Sequence, residues 1–326
     1  MVDTTKDVLR EPPAASMDIP RRRGVTRRAV FLGLLLIPLN VWWVTIIEAK
    51  WRTLDGSWGP IFVTPVFILL SLVGLNLAVK RLKRRWALTQ QELLVVYIML
   101  VISESVSAYH MLQSMVGVLP HPLFFASPEN RWQSLFFRYL PRWLLVTDRT
   151  AIDGFYYGGE GMYHWRFLSG WLVPLASWSF LIFVLVWVMI CLSVMVRKQW
   201  TEQERLTYPV IQLPLALVDD KAVSGIFKSR LMWIGFALAL FIGIMNGLNF
   251  LYPNIPEIPG VKFHSIMPYF TEWPFSAMGN IQISMYPFMI GLAYFIPNDL
   301  TFSLWFFYVF MRFEQVAGAA LGWQDV

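Results

Sequence analysis

The sequence predicts an all-α fold: a polytopic transmembrane helix bundle of about seven spanning or half-spanning segments with broken or re-entrant elements. Three observations predict it. Hydrophobic residues make up 56% of the 326 positions and charged residues only 15%, where soluble domains carry nearer a quarter. Apolar runs recur at lengths near the roughly 20 residues that cross a bilayer. The lysines and arginines gather at alternate ends of those runs.

Spans are expected at Ala29 to Ile47, Gly59 to Val79, Leu93 to Leu119, Trp171 to Val196 and Leu231 to Leu251. After Ile281 the chain is apolar again but is interrupted by Pro297, Asn298 and Asp299, which divide it into segments 281–296 and 300–322 with Asp299 able to cap the second. Residues 1–28, with Pro12, Pro13 and three consecutive arginines at 21–23, form a disordered basic tail ahead of a membrane domain over 29–326. The run that follows is too long for a signal peptide and lacks a small-residue cleavage pattern, so it is a retained helix.

The tail, the connection at 80–85 and the connection at 197–230 hold 18 of the 27 lysines and arginines. By the positive-inside tendency the N-terminus is cytoplasmic, the loops at 48–58, 120–170 and 252–280 face outward, and the protein belongs to the cell's inner (plasma) membrane. The net charge of +6 is explained by this topology and by anionic headgroups, which argues against a nucleic-acid partner. One cysteine, Cys191, lies in an apolar run and supports neither a disulfide framework nor a thiolate metal site.

Two connections carry more than linker character. In the outer loop, Ser127, Pro128 and Glu129 give a helix-start signal, and Trp132, Leu135, Phe136, Tyr139 and Leu140 follow at helical spacing. This predicts an interfacial helix over 129–140, either an anchor or a lid. Gly158, Gly159 and Gly161 around Glu160 lack the spacing of a phosphate loop. In the cytoplasmic broken segment 197–230, Tyr208, Pro209 and Pro214 interrupt an apolar stretch that lies in the interface or dips into the membrane as a re-entrant element.

The third span is the richest in chemistry. Ser103, Ser107, His110 and Ser114 follow an i, i+4, i+7, i+11 spacing and form one stripe on a regular helix, with Glu104 and Gln113 flanking it on either side. On such a helix Glu104 and His110 meet only if the helix is broken. The serines alone read as packing between helices or bonds back to their own carbonyls. A carboxylate and an imidazole near mid-membrane are costly and mark a pathway, where they are natural stations for a proton. Metal binding is not expected: His121, His164 and His264 belong to outer loops and supply no ligand spacing with His110. In the fifth span, Gly243 and Gly247 with Asn246 and Asn249 predict close helix packing with interhelical hydrogen bonds.

The stretch RLTYP, Arg205 to Pro209, resembles the Leu-Thr-Tyr-Pro signature of the oligopeptide transporter superfamily, whose members carry peptides and metal chelates. LNVWW with Asn40, LTQQELLVVYIML with Glu92, and SMYPFMIGLAYFIP from Ser284 to Pro297 are similar to further elements of that family in the same order. The chain as a whole resembles a group of uncharacterised bacterial multi-pass proteins distantly similar to that superfamily. It departs from the pattern at Val210 and Ile211, where the family continues into Ser-Gly, and at Ser103, Glu104 and Ser105, where the family has glycine-rich positions. The resemblance implies a proton-coupled importer with solute bound near the midplane. Such carriers are built of repeated halves and are about twice as long, so the chain is expected to be the N-terminal part of a longer transporter, or else to pair with another copy.

The function expected is secondary transport of a small solute such as a peptide or metal chelate, coupled to a proton, with the lipid bilayer as partner and no cofactor. The pathway residues expected are Glu104, His110, Ser103, Ser107, Gln113 and Asn40, with Tyr208 and Pro209 from the broken segment. Two alternatives stay open. One is a membrane enzyme acting on lipid-linked substrates, its phosphates held by Arg131, Arg138, Arg142 and Arg149, although no nucleophile motif supports it. The other is a membrane assembly or sensor subunit.

Overall fold

The computed structural model describes residues 25–51, 57, 59, 61–158, 164–204, 206, 208–258 and 264–323. Residues 1–24 of the expected tail and the glycines at 159 and 161 lie outside the described residues, and Arg27 and Arg28, expected in the tail, begin α1. In chain order the helices are α1 (Arg27–Thr45), α2 (Val63–Leu82), α3 (Gln90–Ser107), α4 (Ser114–Val118), α5 (His121–Phe124), α6 (Trp132–Leu135), α7 (Arg149–Tyr157), α8 (Trp165–Lys198), α9 (Pro209–Val218), α10 (Asp220–Lys228), α11 (Arg230–Leu251), α12 (Pro287–Ala293) and α13 (Asn298–Ala320). Short π-helical turns at Ile46–Trp51, Tyr109–Gln113 and Gln199–Gln203 extend α1, follow α3 and extend α8. The extended residues His264–Ser265 and Gln282–Ile283 pair as a two-residue antiparallel ladder. The fold is all-α.

Among the described residues, five helical stretches are long and apolar enough to cross a membrane: Arg27–Lys50, Val63–Leu82, Gln90–Phe124, Trp165–Gln203 and Arg230–Leu251. These are the five spans expected before residue 281. Of the two expected after it, α12 has only seven residues, and α13, although 23 residues long, carries Asp299, Arg312 and Glu314 and is not among the five. Long helices α8 and α11 bury almost none of their apolar surface in the protein. Phe180 is 70% exposed and Leu231 80%. Surface of this kind is stable when lipid chains cover it.

The core forms where α1, α2 and α3 meet. Ala29 of α1, Ile68 of α2 and Val96 and Leu100 of α3 make one buried cluster, and Leu69, Val73 and Leu93 make a second with Leu217, Val218 and Val223. Apolar α9 therefore packs on α2 and α3 near the start of α3, as a half-span of ten residues. Pro214 lies inside α9 and does not break it. The break falls instead at Tyr208, whose backbone is left-handed with φ 43°, ahead of Pro209 at the first helical position, where a missing N–H costs nothing.

The segment 129–140 is not the single interfacial helix its spacing suggests. A left-handed Arg131 (φ 52°) precedes the one turn of α6, and a 3₁₀ turn at Phe137–Tyr139 follows. Asn130 accounts for the difference. Its Oδ1 accepts from the backbone of Ser127 at 3.0 Å and of Trp132 at 3.2 Å, and its Nδ2 donates to the Phe125 carbonyl at 2.8 Å, so the chain turns where the helix was to run. This region forms a lobe on α8: Leu119, Val146, Ala151, Ile152 and Trp171 are its buried centre, and Trp178 Nε1 donates to the Leu144 carbonyl at 2.9 Å.

Asn246 and Asn249 also differ from expectation. Each bonds to the loop beyond α11 rather than to another helix: Asn246 to both backbone groups of Ile258, and Asn249 to the Ile255 carbonyl at 2.6 Å. A proline-rich loop offers few backbone donors, so its exposed carbonyls recruit the helix amides.

Candidate functional site

Three helices deliver polar side chains to one buried point. Glu104 of α3 is fully buried, and its Oε2 accepts from Asn40 Nδ2 of α1 at 3.1 Å and from Thr64 Oγ1 of α2. Asn40 is fully buried and Thr64 nearly so. Its other oxygen, Oε1, has no hydrogen-bond partner among the described residues, and neither do Asn40 Oδ1, Ser107 Oγ or Gln113 Oε1. An orphaned buried acceptor costs about 1–3 kcal/mol. Two of these atoms belong to the Asn40–Glu104 pair itself, and Ser107 lies one helical turn beyond it.

The third span breaks beside the carboxylate. Ser105 Oγ donates back to the Ile102 carbonyl at 2.8 Å, a bond of the kind that Ser71 in α2 and Ser177 in α8 make without ending their helices, so it does not by itself account for the break. At Ala108 the backbone is extended (ψ 165°), and the chain resumes as the π turn Tyr109–Gln113. The C-terminal end of α3, which carries the negative end of the helix dipole, therefore falls inside the span next to Glu104. The stripe Ser103, Ser107, His110, Ser114 is interrupted at this break, since its regularity required an unbroken helix.

Beyond the break a second carboxylate joins the site. Glu48, in the π turn that extends α1, is 4% exposed and accepts at Oε1 from the backbone N–H of Ser57 at 3.0 Å and from its hydroxyl at 2.6 Å. Gln113 Nε2 reaches Glu48 Oε2 at 3.5 Å and the Ser107 carbonyl at 3.3 Å. A polar thread thus runs from Asn40, Thr64 and Glu104 past Ser107 and Gln113 to Glu48 and Ser57, with no described hydrogen bond joining Glu104 to Ser107 or Gln113.

The depth of the site follows from helix rise. Glu104 lies about 21 Å along α3 from Gln90, and Asn40 about 20 Å along α1 from Arg27.

Of the residues named from the sequence, Asn40 meets Glu104 directly, Ser107 follows Glu104 by one helical turn, and Gln113 meets the Ser107 carbonyl and Glu48. Ser103 lines a cleft beside them. His110 falls in the π turn, and its side chain lies outside the described residues. No described contact brings Tyr208 or Pro209 to Glu104: the buried residues of α9 meet α3 at Leu93, about 16 Å before Glu104 along the helix. Thr64 and Glu48 are the members that sequence reasoning missed. Thr64 gives no periodic signal in an apolar run, and Glu48 stands where the loop at 48–58 was to begin. A carboxylate one turn past an otherwise uncharged apolar helix was the available sign.

At the other end of the same helices a separate ionic cluster holds the N-termini. Arg28 Nη2 lies 2.7 Å from Glu92 Oε2 and also donates to the Ala87 carbonyl at 3.2 Å, while Thr26 Oγ1 donates to Glu92 Oε1 at 2.7 Å. Glu92 closes the capping box of α3 with Thr89. Asn76 of α2 spans both backbone groups of Leu88, at 2.9 and 2.7 Å. This cluster is fully paired, in contrast to the orphaned acceptors around Glu104.

Among the described residues no group of three or more histidine, cysteine, aspartate or glutamate side chains is placed to hold a metal ion. No characterised protein and no solved structure gives a significant match to the chain. A family model does match residues 19–326, nearly the whole sequence, and on that match the chain belongs to the DUF6785 family, a family of unknown function.

Proposed function

We propose that this multi-pass membrane protein acts as a secondary transporter-like module in which Glu104 takes up and releases a proton as a small solute moves. The observation that carries the reading is the convergence of Asn40, Thr64 and Glu104 from three helices with one carboxyl oxygen left unpartnered. A structural carboxylate would be expected to have its lone pairs filled, as those of Glu92 are. One that waits for a donor is suited to exchange its partner.

Two further features support a moving part at this point. The third span is broken beside the carboxylate, and broken helices lining a polar site are the usual architecture of solute carriers. The likeness of Arg205 to Pro209 and of the Asn40 and Glu92 passages to the oligopeptide transporter superfamily points the same way, with a peptide or metal chelate as the solute class it implies. In this reading the protein is not an enzyme, lies in the cell's inner membrane with its N-terminus cytoplasmic, and the Glu48 and Ser57 end of the thread faces outward.

Reconstitution tests it. Proteoliposomes holding an internal pH indicator are challenged with candidate solutes under an imposed pH gradient, for wild type and Glu104→Gln. Solute-dependent proton flux is expected in the wild type and not in the variant. Flux that persists in Glu104→Gln removes Glu104 from the mechanism, and failure of every solute to move protons removes the carrier reading.

A further inference from the structure

The lobe on α8 holds a cavity of about 400 Å³, apart from the buried carboxylate. Leu123 of α5, Phe137, Leu140 and Leu145 form its apolar walls, and Arg142 and Thr147 supply its polar lining. Arg142 opens a second 3₁₀ turn, Arg142–Leu144, beyond the one at Phe137–Tyr139. At the roughly 30 Å³ that a water molecule occupies in the liquid, the space takes about a dozen non-hydrogen atoms. That suits one short alkyl chain with a small headgroup and is too little for a two-chain lipid.

The charge of the guest follows from how the lobe uses its own charges. Arg138 stacks over the Tyr139 ring at 4.6 Å, and Arg149 pairs with Asp153 at 3.3 Å. Asp148 turns its Oδ1 to the first N–H groups of α7. The guanidinium of Arg142, by contrast, has no hydrogen bond, ion pair or ring contact among the described residues. No carboxylate lines the cavity with it. A guanidinium presents a planar fork of donors that matches a carboxylate with two parallel bonds, and the Thr147 hydroxyl can donate a third.

The same segment borders lipid-facing surface. Leu135, Tyr139 and Trp143 are exposed beside Arg138 and Arg142, and tyrosine and tryptophan next to arginine form the belt of side chains at a membrane–water interface. Leu144 accepts from Trp178 of α8, and within the next two turns of that helix Phe180 and Phe183 are exposed. The cavity thus lies near where the lobe's cover of α8 gives way to bare apolar helix, and amphiphiles dissolved in the bilayer are the guests at hand. We propose that it binds the anion of a single-chain fatty acid, its carboxylate on Arg142 and Thr147 and its chain against Leu123, Phe137, Leu140 and Leu145. The proposal does not depend on Glu104 carrying a proton.

The full chain in phosphatidylcholine nanodiscs is titrated with radiolabelled decanoate, and empty nanodiscs measure partition into lipid alone. Saturable uptake above that background is expected, at about one decanoate per chain. Decanol, which keeps the chain without the charge, decyltrimethylammonium, which reverses the charge, and acetate, which keeps the anion without the chain, should each compete about tenfold or more weakly than unlabelled decanoate. Arg142 makes no described side-chain bond within the protein, so Arg142→Ala leaves the lobe's packing in place and should weaken binding about tenfold or more. Arg142→Lys should weaken it less, because the charge stays while the fork is lost. Leu140→Trp, which fills the cavity from its apolar side, should weaken it as well. Uptake no greater than that of empty nanodiscs overturns the proposal, as does equal competition by decanol, or unchanged affinity in both Arg142→Ala and Leu140→Trp. Equal competition by acetate or inorganic phosphate identifies a bare anion site and overturns it too.

Discussion

Asn40 of α1 donates to Glu104 of α3 at 3.1 Å, and the two are separated by 64 residues. The same separation relates Arg28 to Glu92 near the start of both helices, and 65 residues separate Glu48 from Gln113 beyond them. Helices α1 and α3 therefore run parallel in fixed register, tied at three levels, with α2 returning between them. Polar ties of this kind fix register because any slip leaves a buried group unpaired.

The middle tie should be the costliest to cut. Asn40→Leu removes the donor, leaves Glu104 with Thr64 as its described partner, and is expected to destabilise the purified protein by about 2–3 kcal/mol. Asn40→Asp should be worse, because it places a second carboxylate against the first. Thermal unfolding in detergent would show the order wild type, Asn40→Leu, Asn40→Asp. An Asn40→Asp protein as stable as wild type contradicts the burial argument.

The tie at the Arg28 end should be weaker and dependent on salt. Arg28 is half exposed, so Arg28→Ala is expected to cost about 1 kcal/mol or less, shrinking further in high salt. Glu92→Ala removes the same ion pair and the capping box of α3 as well, and should cost about 1 kcal/mol more than Arg28→Ala. Comparing the two variants across a potassium chloride series separates the contributions: the difference between them should persist in high salt while the cost of Arg28→Ala fades.

Much of this was legible in the sequence. Five spans follow from apolar length alone, and Glu104 and Asn40 stood out because polar atoms in such runs are costly. The partners did not show, because a hydrogen bond between residues 40 apart, such as Thr64 with Glu104, leaves no periodic trace. The serine stripe and the 129–140 helix both misled because side-chain spacing continues past the point where the helix ends. At 129–140 the turn comes from Asn130, which bonds to nearby backbone on both sides, and in the third span the backbone turns extended at Ala108.

Glycine packing separates two kinds of tolerance. A Cβ on Gly33 would lie 2.5 Å from Met99 Sδ, near the flexible end of a side chain that can swing aside. Gly33→Ala is therefore expected to cost no more than about 1–2 kcal/mol. On Gly170 of α8 the added atom would meet the Cβ atoms of Ala151 and Asp148 at 2.8 and 2.9 Å. Neither can move without its helix backbone, and Asp148 caps α7 through the N–H groups of Thr150 and Ala151.

Gly170→Ala should thus push α7 off α8 and loosen the lobe around Ile152 and Trp171, leaving the α1–α3 pair intact. Hydrogen exchange tests this directly. Amides of 149–157 are expected to exchange faster in Gly170→Ala, while those around Glu104 keep their wild-type rates, since the two regions bury separate clusters. Faster exchange at both would show that the lobe and the carboxylate site open as one unit, and would place the lobe among the parts that move when the site does.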